Sequence, residues 1–159
     1  MARLEAQDPE FRTRVHDSFA RQAFMGHIGA ELTRVEPGRC EIVLPYREAL
    51  SQQHGFFHGG VIATIADNAS GYAAYSLMPA DASVLTVELK LNLLAPGAGE
   101  ALIARAQVER AGRTLTVVDT DVFALNKGQE TKIARMLGTF ICLHKRSDGP
   151  APAAKAGTR

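Results

Sequence analysis

The stretch from Gln52 to Asn68, QQHGFFHGGVIATIADN, decides how this chain folds. Its first half combines two histidines with glycines and has no hydrophobic period, which is typical of a loop. Its second half opens an apolar series with helical spacing, made up of Val61, Ile62, Ile65, Ala66, Ala69, Ala73 and Leu77. The series predicts a mostly buried helix that follows the His-Gly-Gly sequence and closes near Pro79.

Downstream of this helix the sequence predicts four strands. Leu85 to Leu93 alternates strictly, so its leucines and Val87 should share one face while Thr86 lies on the other. Three further strand-like runs cover residues 100–110, 113–125 and 130–144, with short glycine-containing turns between them. Turns this short join antiparallel neighbours, because a parallel crossover needs about a dozen residues or more.

Upstream of the loop, residues 31–35 and 40–45 look like two strands joined by the turn signal Glu36-Pro37-Gly38. Before them, apolar residues recur every four positions from Phe11 to Ala23, after a polar cap and a proline at Asp8-Pro9. This spacing predicts one short amphipathic helix.

Together these elements predict an α+β fold, in which an antiparallel sheet of five to six strands wraps around one long central helix. We divide the chain into the N-terminal amphipathic helix within residues 1–25, one domain over residues 26–146, and a tail over residues 147–159. The tail consists of alanine, proline, glycine and charged residues, which predicts disorder. A sheet of this size leaves an edge strand open to a partner, so we expect self-association.

The composition limits the functional classes. With 159 residues, 46% of them hydrophobic and 22% charged, the chain matches one ordinary globular domain. Its formal net charge of +1 provides no field that would attract nucleic acid or an anionic membrane, so neither partner is expected. Cys40 and Cys142 form no CxxC pair, and the N-terminus carries charges where a signal peptide needs an apolar stretch. We therefore predict a cytoplasmic protein with reduced thiols.

Two groups on the central helix are suited to chemistry. Glycines at a helix start offer free backbone N–H groups at the positive end of the helix dipole, and Gly59 is the candidate donor to an oxyanion. Asp67 lies two turns further on among apolar residues, which should raise its pKa and suit it to act as a base or nucleophile.

The distance between these two groups has a structural consequence. Eight residues of helix separate Gly59 from Asp67, which corresponds to about 12 Å. The two groups therefore cannot flank one carbonyl carbon. If both act on one substrate, Asp67 of one subunit must face Gly59 of another across a two-fold axis, so the residues predict at least a homodimer.

A resemblance to a known family rests on Gln52, His58, Gly59, Gly60 and Asp67, followed by LTVELK at 85–90 and LAP at 94–96. This pattern resembles the hot-dog fold acyl-CoA thioesterases of the phenylacetate-pathway branch, the PaaI type. The resemblance covers roughly residues 26–143. It implies the hot-dog fold, an acyl-CoA substrate, no metal or redox cofactor, and a homotetramer built as a dimer of dimers.

The resemblance also implies roles for single residues. It makes Asp67 the catalytic carboxylate, which attacks the thioester carbonyl or activates water, while the Gly59 N–H polarises that carbonyl. His58 would orient the loop, and Gln52 would contribute to the same site. The neighbouring candidates for substrate binding are Gly60, Phe57 and His54.

Two hydroxyl positions occur in the family for holding the water. One branch has a serine or threonine that opens the long strand after the helix, and Thr86 occupies that place here. Another branch has a hydroxyl four residues after the carboxylate, where this chain has Gly71. Because this chain has glycine at the second position, the comparison with the family favours Thr86. It gives no role to Ser70, which is next to that glycine.

Other interpretations compete with these. His54 and His58 are four residues apart and could with Asp67 hold zinc, but Gly55 and Gly59 favour a loop over the helix that such spacing needs, so no metal site is expected. A non-catalytic acyl-CoA sensor would share the pocket without needing Asp67. A hot-dog dehydratase or hydratase has its catalytic histidine in a proline-containing loop, which His58-Gly59-Gly60 does not match.

Overall fold

The computed structural model describes residues 4–150 of the chain. Over these residues the structure has three α-helices, one short 3-10 helix and six strands. In chain order they are α1 (Phe11–Ala20), α2 (Ala23–Ile28), β1 (Glu31–Glu36), β2 (Arg39–Pro45), the 3-10 helix (Glu48–Leu50), α3 (Gly59–Tyr75), β3 (Ser83–Leu93), β4 (Ala101–Ala111), β5 (Leu115–Asn126) and β6 (Gln129–Leu143).

The six strands form one antiparallel sheet in the order β1-β2-β4-β5-β6-β3, with β1 and β3 at its edges. The turn between β5 and β6 has positive φ angles at Lys127 and Gly128, as a tight hairpin with the sheet's twist requires. This confirms the predicted α+β fold and the upper limit of the predicted strand number. In this order β3 is an edge strand, and among residues 4–150 its one neighbour is β6.

Helix α3 packs against one face of the sheet and forms the centre of the core. Its side toward the sheet is made of small and branched residues, among which Ile65, Ala66 and Ala69 have no exposed surface. The opposing strands contribute large apolar side chains that are equally buried, including Leu102 and Phe140. Alanines let the helix approach the strands closely, which is why the sheet can curve around it. The helix has 17 residues, and among residues 4–150 we find none with the length and apolar character that crossing a membrane requires.

The strict alternation predicted for β3 is wrong at Val87. The register between β3 and β6 shifts between Thr86 and Glu88, so Val87 is the extra residue of a β-bulge. Thr86 lies opposite Phe140, which is completely buried, and therefore on the face that α3 covers. The bulge moves Thr86 away from the face on which Glu88 lies, because one extra residue exchanges the two faces of a strand.

The N-terminal segment also differs from the prediction. Its apolar series is divided between α1 and α2, because Gln22 has an extended backbone that interrupts the helix. The side chain of Asp8 accepts a hydrogen bond from the Glu10 N–H and does not cap the first turn of α1. Helix α2 ends at Gly29, whose φ of 78° is in the left-handed region that glycine adopts freely. Two short helices thus replace the single predicted one.

Arg14 connects the N-terminal segment to the C-terminal end of α3. Its guanidinium donates hydrogen bonds to the carbonyl oxygens of Tyr75, Met78 and Pro79. A cation at this position also complements the negative end of the helix dipole. Of the predicted tail, residues 151–159 lie outside the described residues, while Asp148 accepts hydrogen bonds from Arg21 and Ser83.

Candidate active site

His58 caps the N-terminal end of α3. Its backbone is extended, and its Nδ1 accepts a hydrogen bond from the Gly60 N–H at 2.9 Å, which makes it the N-cap residue of the helix. The carbonyl of His58 accepts from the N–H groups of Val61 and Ile62. Between residues 4 and 150, nothing accepts a hydrogen bond from the Gly59 N–H. One backbone donor at the positive end of α3 is therefore left for a ligand.

Gln52 and His54 lie in a tight turn directly before this helix start. The Gln52 N–H donates to the Phe56 carbonyl and the Gly55 N–H donates to the Gln52 carbonyl, each at 2.9 Å. The Gln52 side-chain oxygen accepts a hydrogen bond from the His54 N–H. Gly55 has a φ of 81°, which such a turn needs and which a larger residue would adopt only with strain.

The same turn borders an open cleft of about 470 Å³ beside Gly59. Gln52, His54 and Phe57 line it together with the end of β3, where Leu93 lies close enough that a Cβ at Gly59 would be only 3.2 Å from it. Phe57 itself is 2% exposed and packs edge to face against Tyr46, so most of its ring belongs to the core. His58 and Gly60 are exposed at the helix start.

Asp67 lies in the middle of α3 and is held by Thr86. The Thr86 Oγ1 donates a hydrogen bond of 2.9 Å to the Asp67 Oδ1. The contact exists because the bulge at Val87 turns Thr86 toward the helix. Burial raises the pKa of the Asp67 carboxyl, and the hydrogen bond from Thr86 offsets part of that rise. A half-buried carboxylate with a raised pKa, fixed by one donor, is suited to accept a proton or to attack a carbonyl.

Gly59 and Asp67 do not meet within one subunit. Both belong to the single continuous helix α3, which agrees with the separation of about 12 Å expected from helix geometry. They also line different clefts, since Asp67 and Thr86 border a second cleft of about 220 Å³ that does not include Gly59.

Three other residues considered from the sequence, Ser70, His54 and His58, have side chains or backbone groups that take part in local hydrogen bonding. The Ser70 Oγ is completely buried, donates to the Ala66 carbonyl and pairs with the hydroxyl of Thr120, so it faces the core and not Asp67. His54 lies in the turn while His58 caps the helix. Over residues 4–150, no three histidine, cysteine or acidic side chains converge as metal ligands would.

Sequence reasoning missed three polar residues close to Asp67. Asn68 donates from Nδ2 to the Gln22 Oε1 at 2.7 Å, and Gln22 donates from Nε2 to the Tyr72 hydroxyl at 2.9 Å. Only the position of Asn68 directly after Asp67 signals this cluster in the sequence, because Gln22 precedes Asn68 by 46 residues.

Comparisons with known proteins identify relatives of this chain. Residues 54–131 match the model of the thioesterase superfamily. A thioesterase family protein of Silicibacter pomeroyi has a solved structure that superposes with a TM-score of 0.83 and 48% identity, covering 84% of this chain and 98% of that chain. A protein of Halobacterium salinarum assigned as an esterase is 34% identical over 73% of this chain and 82% of its own length. The acyl-coenzyme A thioesterase PaaI of Escherichia coli is 29% identical over 73% of this chain and 80% of its own length.

The family match begins in the turn before α3 and extends into β6, so it includes the helix start, Asp67 and Thr86. The resemblance inferred from the His-Gly-Gly sequence and Asp67 is thereby confirmed at the level of the family. The chain belongs to the thioesterase superfamily: it has the hot-dog fold, resembles the PaaI-type proteins, and is a thioester hydrolase.

Proposed function

We propose that this thioesterase hydrolyses an acyl-CoA thioester to the free acid and CoA, at a site to which two subunits contribute. The observation that carries the proposal is the Asp67 carboxylate, half-buried and held by Thr86, on the helix whose first N–H group has no acceptor among residues 4–150. The E. coli relative is named for acyl-coenzyme A, which supports the same substrate class here.

The proposed reaction consumes one water molecule. The Gly59 N–H donates to the thioester oxygen, which gains negative charge when the carbonyl carbon is attacked. Asp67 either takes the proton of the attacking water or attacks the carbon itself, giving an anhydride that water then opens. In both routes the C–S bond breaks and the CoA sulfur takes up a proton of the consumed water, which Asp67 passes on in the first route. The products are the free acid and the thiol, and no metal or redox cofactor takes part.

The shared site needs a second subunit, and the β3 edge offers a place for it. Leu85, Val87 and Leu89 are exposed along a strand that has one unpaired side. Pairing of two β3 strands in antiparallel fashion would cover these residues and set two α3 helices antiparallel, so that Asp67 of one subunit meets Gly59 of the other. A dimer of this kind is the smallest assembly that would form the shared site. The family resemblance further implies a homotetramer made of two such dimers.

Thiol release from a panel of short, medium, long and aromatic acyl-CoAs tests the activity. We expect CoA to appear in step with the free acid, without added metal and in the presence of a chelator. Tight binding of acyl-CoA with no release of thiol from any member of the panel would favour a non-catalytic sensor instead.

Mixing two inactive variants tests whether the site is shared. In a heterodimer of Asp67→Asn with Gln52→Ala, one site carries both lesions and the other carries none. Random exchange should therefore restore about a quarter of the wild-type activity, since half of the dimers are mixed and half of their sites are intact. No recovery after exchange has been verified by mass spectrometry would show that each site lies within one subunit.

A further inference from the structure

The polar cluster beside Asp67 joins the N-terminal segment to α3. Gln22, at the break between α1 and α2, accepts from Asn68 through Oε1 and donates to Tyr72 through Nε2. The Tyr72 hydroxyl in turn pairs with the Ser18 Oγ at 3.1 Å. Gln22 thus uses its side-chain oxygen toward Asn68 and its side-chain nitrogen toward Tyr72, so one amide links the two residues of α3.

This cluster forms a wall of the cleft that contains the candidate catalytic carboxylate. The cleft of about 220 Å³ has Asp67 and Thr86 on its lining, and Ser18, Gln22 and Asn68 line it as well. At roughly 30 Å³ for each water molecule, the space corresponds to about seven waters, which suits a short acyl group.

The cluster is not completely satisfied. The Asn68 Oδ1 is buried and accepts no hydrogen bond from residues 4–150. A buried acceptor without a donor costs free energy, and such groups in native proteins call for an explanation. A ligand with a hydroxyl at this depth would supply the missing donor, whereas an alkyl end would be placed against polar groups.

We infer that Gln22 is a specificity-determining residue, which closes the acyl cleft with polar groups and so selects short acyl chains that carry a hydroxyl at the far end. The inference rests on the proposed function and adds the acyl class to it. Gln22 acts by holding the Asn68 amide and the Tyr72 hydroxyl at the end of the cleft, while the bond-breaking step stays with Asp67.

The test compares hexanoyl-CoA with 6-hydroxyhexanoyl-CoA, which differ only in the terminal hydroxyl. The readout is the ratio of the two kcat/KM values, because a general loss of folded enzyme cancels in a ratio. We expect wild type to prefer the hydroxylated substrate about tenfold, the factor that one buried hydrogen bond supplies. Gln22→Leu, which keeps the bulk but removes both hydrogen bonds, should bring the ratio to one or below.

Two control variants separate specificity from packing. Ser18→Ala removes the other partner of the Tyr72 hydroxyl but leaves the Gln22 to Asn68 hydrogen bond, so most of the preference should remain. Gln129→Leu makes the same change at the exposed first residue of β6 and should leave the ratio at its wild-type value. A wild-type ratio near one, or equal ratios for wild type and Gln22→Leu, would overturn the inference.

A binding measurement keeps this result apart from the proposed function. The same two acyl-CoAs are titrated by calorimetry into Asp67→Asn, with and without Gln22→Leu. A preference for the hydroxylated ligand that Gln22→Leu abolishes supports the inference even if no thioester is hydrolysed. Hydrolysis of both substrates without any preference in rate or affinity overturns the inference and leaves the proposed function standing.

Discussion

The two edge strands of the sheet differ in length and in the polarity of their exposed side chains. Strand β1 is six residues long, exposes the polar side chains of Glu31, Thr33 and Arg34, and has a bulge at Thr33. Strand β3 is eleven residues long and exposes apolar side chains, among them Leu85 at 55% and Val87 at 54%. Charged side chains, a short length and a bulge are the means by which proteins protect a free edge.

Strand β3 has a bulge too, at Val87, yet its exposed side chains are apolar. A β-bulge therefore produces different side-chain contacts on the two strands. At β1 the bulge residue is a threonine whose hydroxyl donates to the Glu41 side chain. At β3 the bulge brings Thr86 to Asp67, so the open edge and one residue of the candidate site lie on the same strand. This apolar edge is where we propose that a second subunit pairs.

The largest expected effect is on the carboxylate that the β3 edge supports. Asp67→Asn should lower kcat/KM by about 100-fold to 10,000-fold, because a positioned base or nucleophile is lost while the shape of the side chain is kept. Glu31→Gln, the matched change on the β1 edge, should leave turnover within twofold. Steady-state thiol release measures both. Wild-type turnover by the Asp67→Asn variant would remove Asp67 from the mechanism.

Association should depend on one edge only. Val87→Lys places a charge on the apolar edge and should convert the protein to monomers with a parallel loss of activity, since each proposed site needs two subunits. Thr33→Lys puts the same charge on the bulge residue of the other edge and should leave the mass unchanged. Light scattering during size-exclusion chromatography reports the mass. A Val87→Lys protein that keeps the wild-type mass would show that another surface makes the dimer.

The pH dependence of kcat/KM should change when Thr86 of β3 is replaced, but not when Thr33 of β1 is replaced. In the proposed mechanism activity requires ionised Asp67, whose pKa is raised by burial and lowered in part by the hydrogen bond from Thr86. Thr86→Val removes the stabilising donor, so the acid limb of the kcat/KM profile should move to higher pH. Thr33→Val, whose hydroxyl bonds Glu41 at the opposite edge, should leave the limb in place. An unchanged limb in Thr86→Val would mean that another group controls the ionisation.

The smallest effect concerns stability. Because the pKa of Asp67 is raised in the folded state, folding favours its protonated form, and its contribution to stability falls as pH rises through the folded-state pKa. Asp67→Asn should therefore raise the melting temperature at neutral pH, by about 2–4 °C for each kcal/mol. The difference should vanish below the ordinary pKa of an aspartate. Glu31→Gln, at an exposed position, serves as the control in the same thermal scans.

Much of the fold was predictable because its elements have simple periods. The apolar series from Val61 to Leu77 identified α3, and the alternation with short glycine turns identified the strands. The hydrophobic period fails where a backbone irregularity intervenes. Neither the extended Gln22 between α1 and α2 nor the bulge at Val87 alters the apolar pattern, so neither was predictable from it.

The candidate site was predictable in part, for the same reason. Gly59 and Asp67 belong to one helix, so their distance follows from the number of residues between them. The contact of Thr86 with Asp67 depends on the pairing of β3 with β6 and on its bulge, which involve residues far apart in the chain. Gln22 shows no sequence signal at all, because only the packing of the N-terminal segment on α3 brings it to Asn68.

The sequence by itself determined the class of the fold, the order of its elements and the two chemical groups of α3, since these depend on local periodicity and on the geometry of one helix. The tertiary structure decided which hydroxyl meets the carboxylate, which edge is left apolar, and which distant residues line the cleft beside Asp67. These follow from strand register and from the docking of separate segments. Both are set by packing between residues that are remote in sequence, which no local pattern encodes.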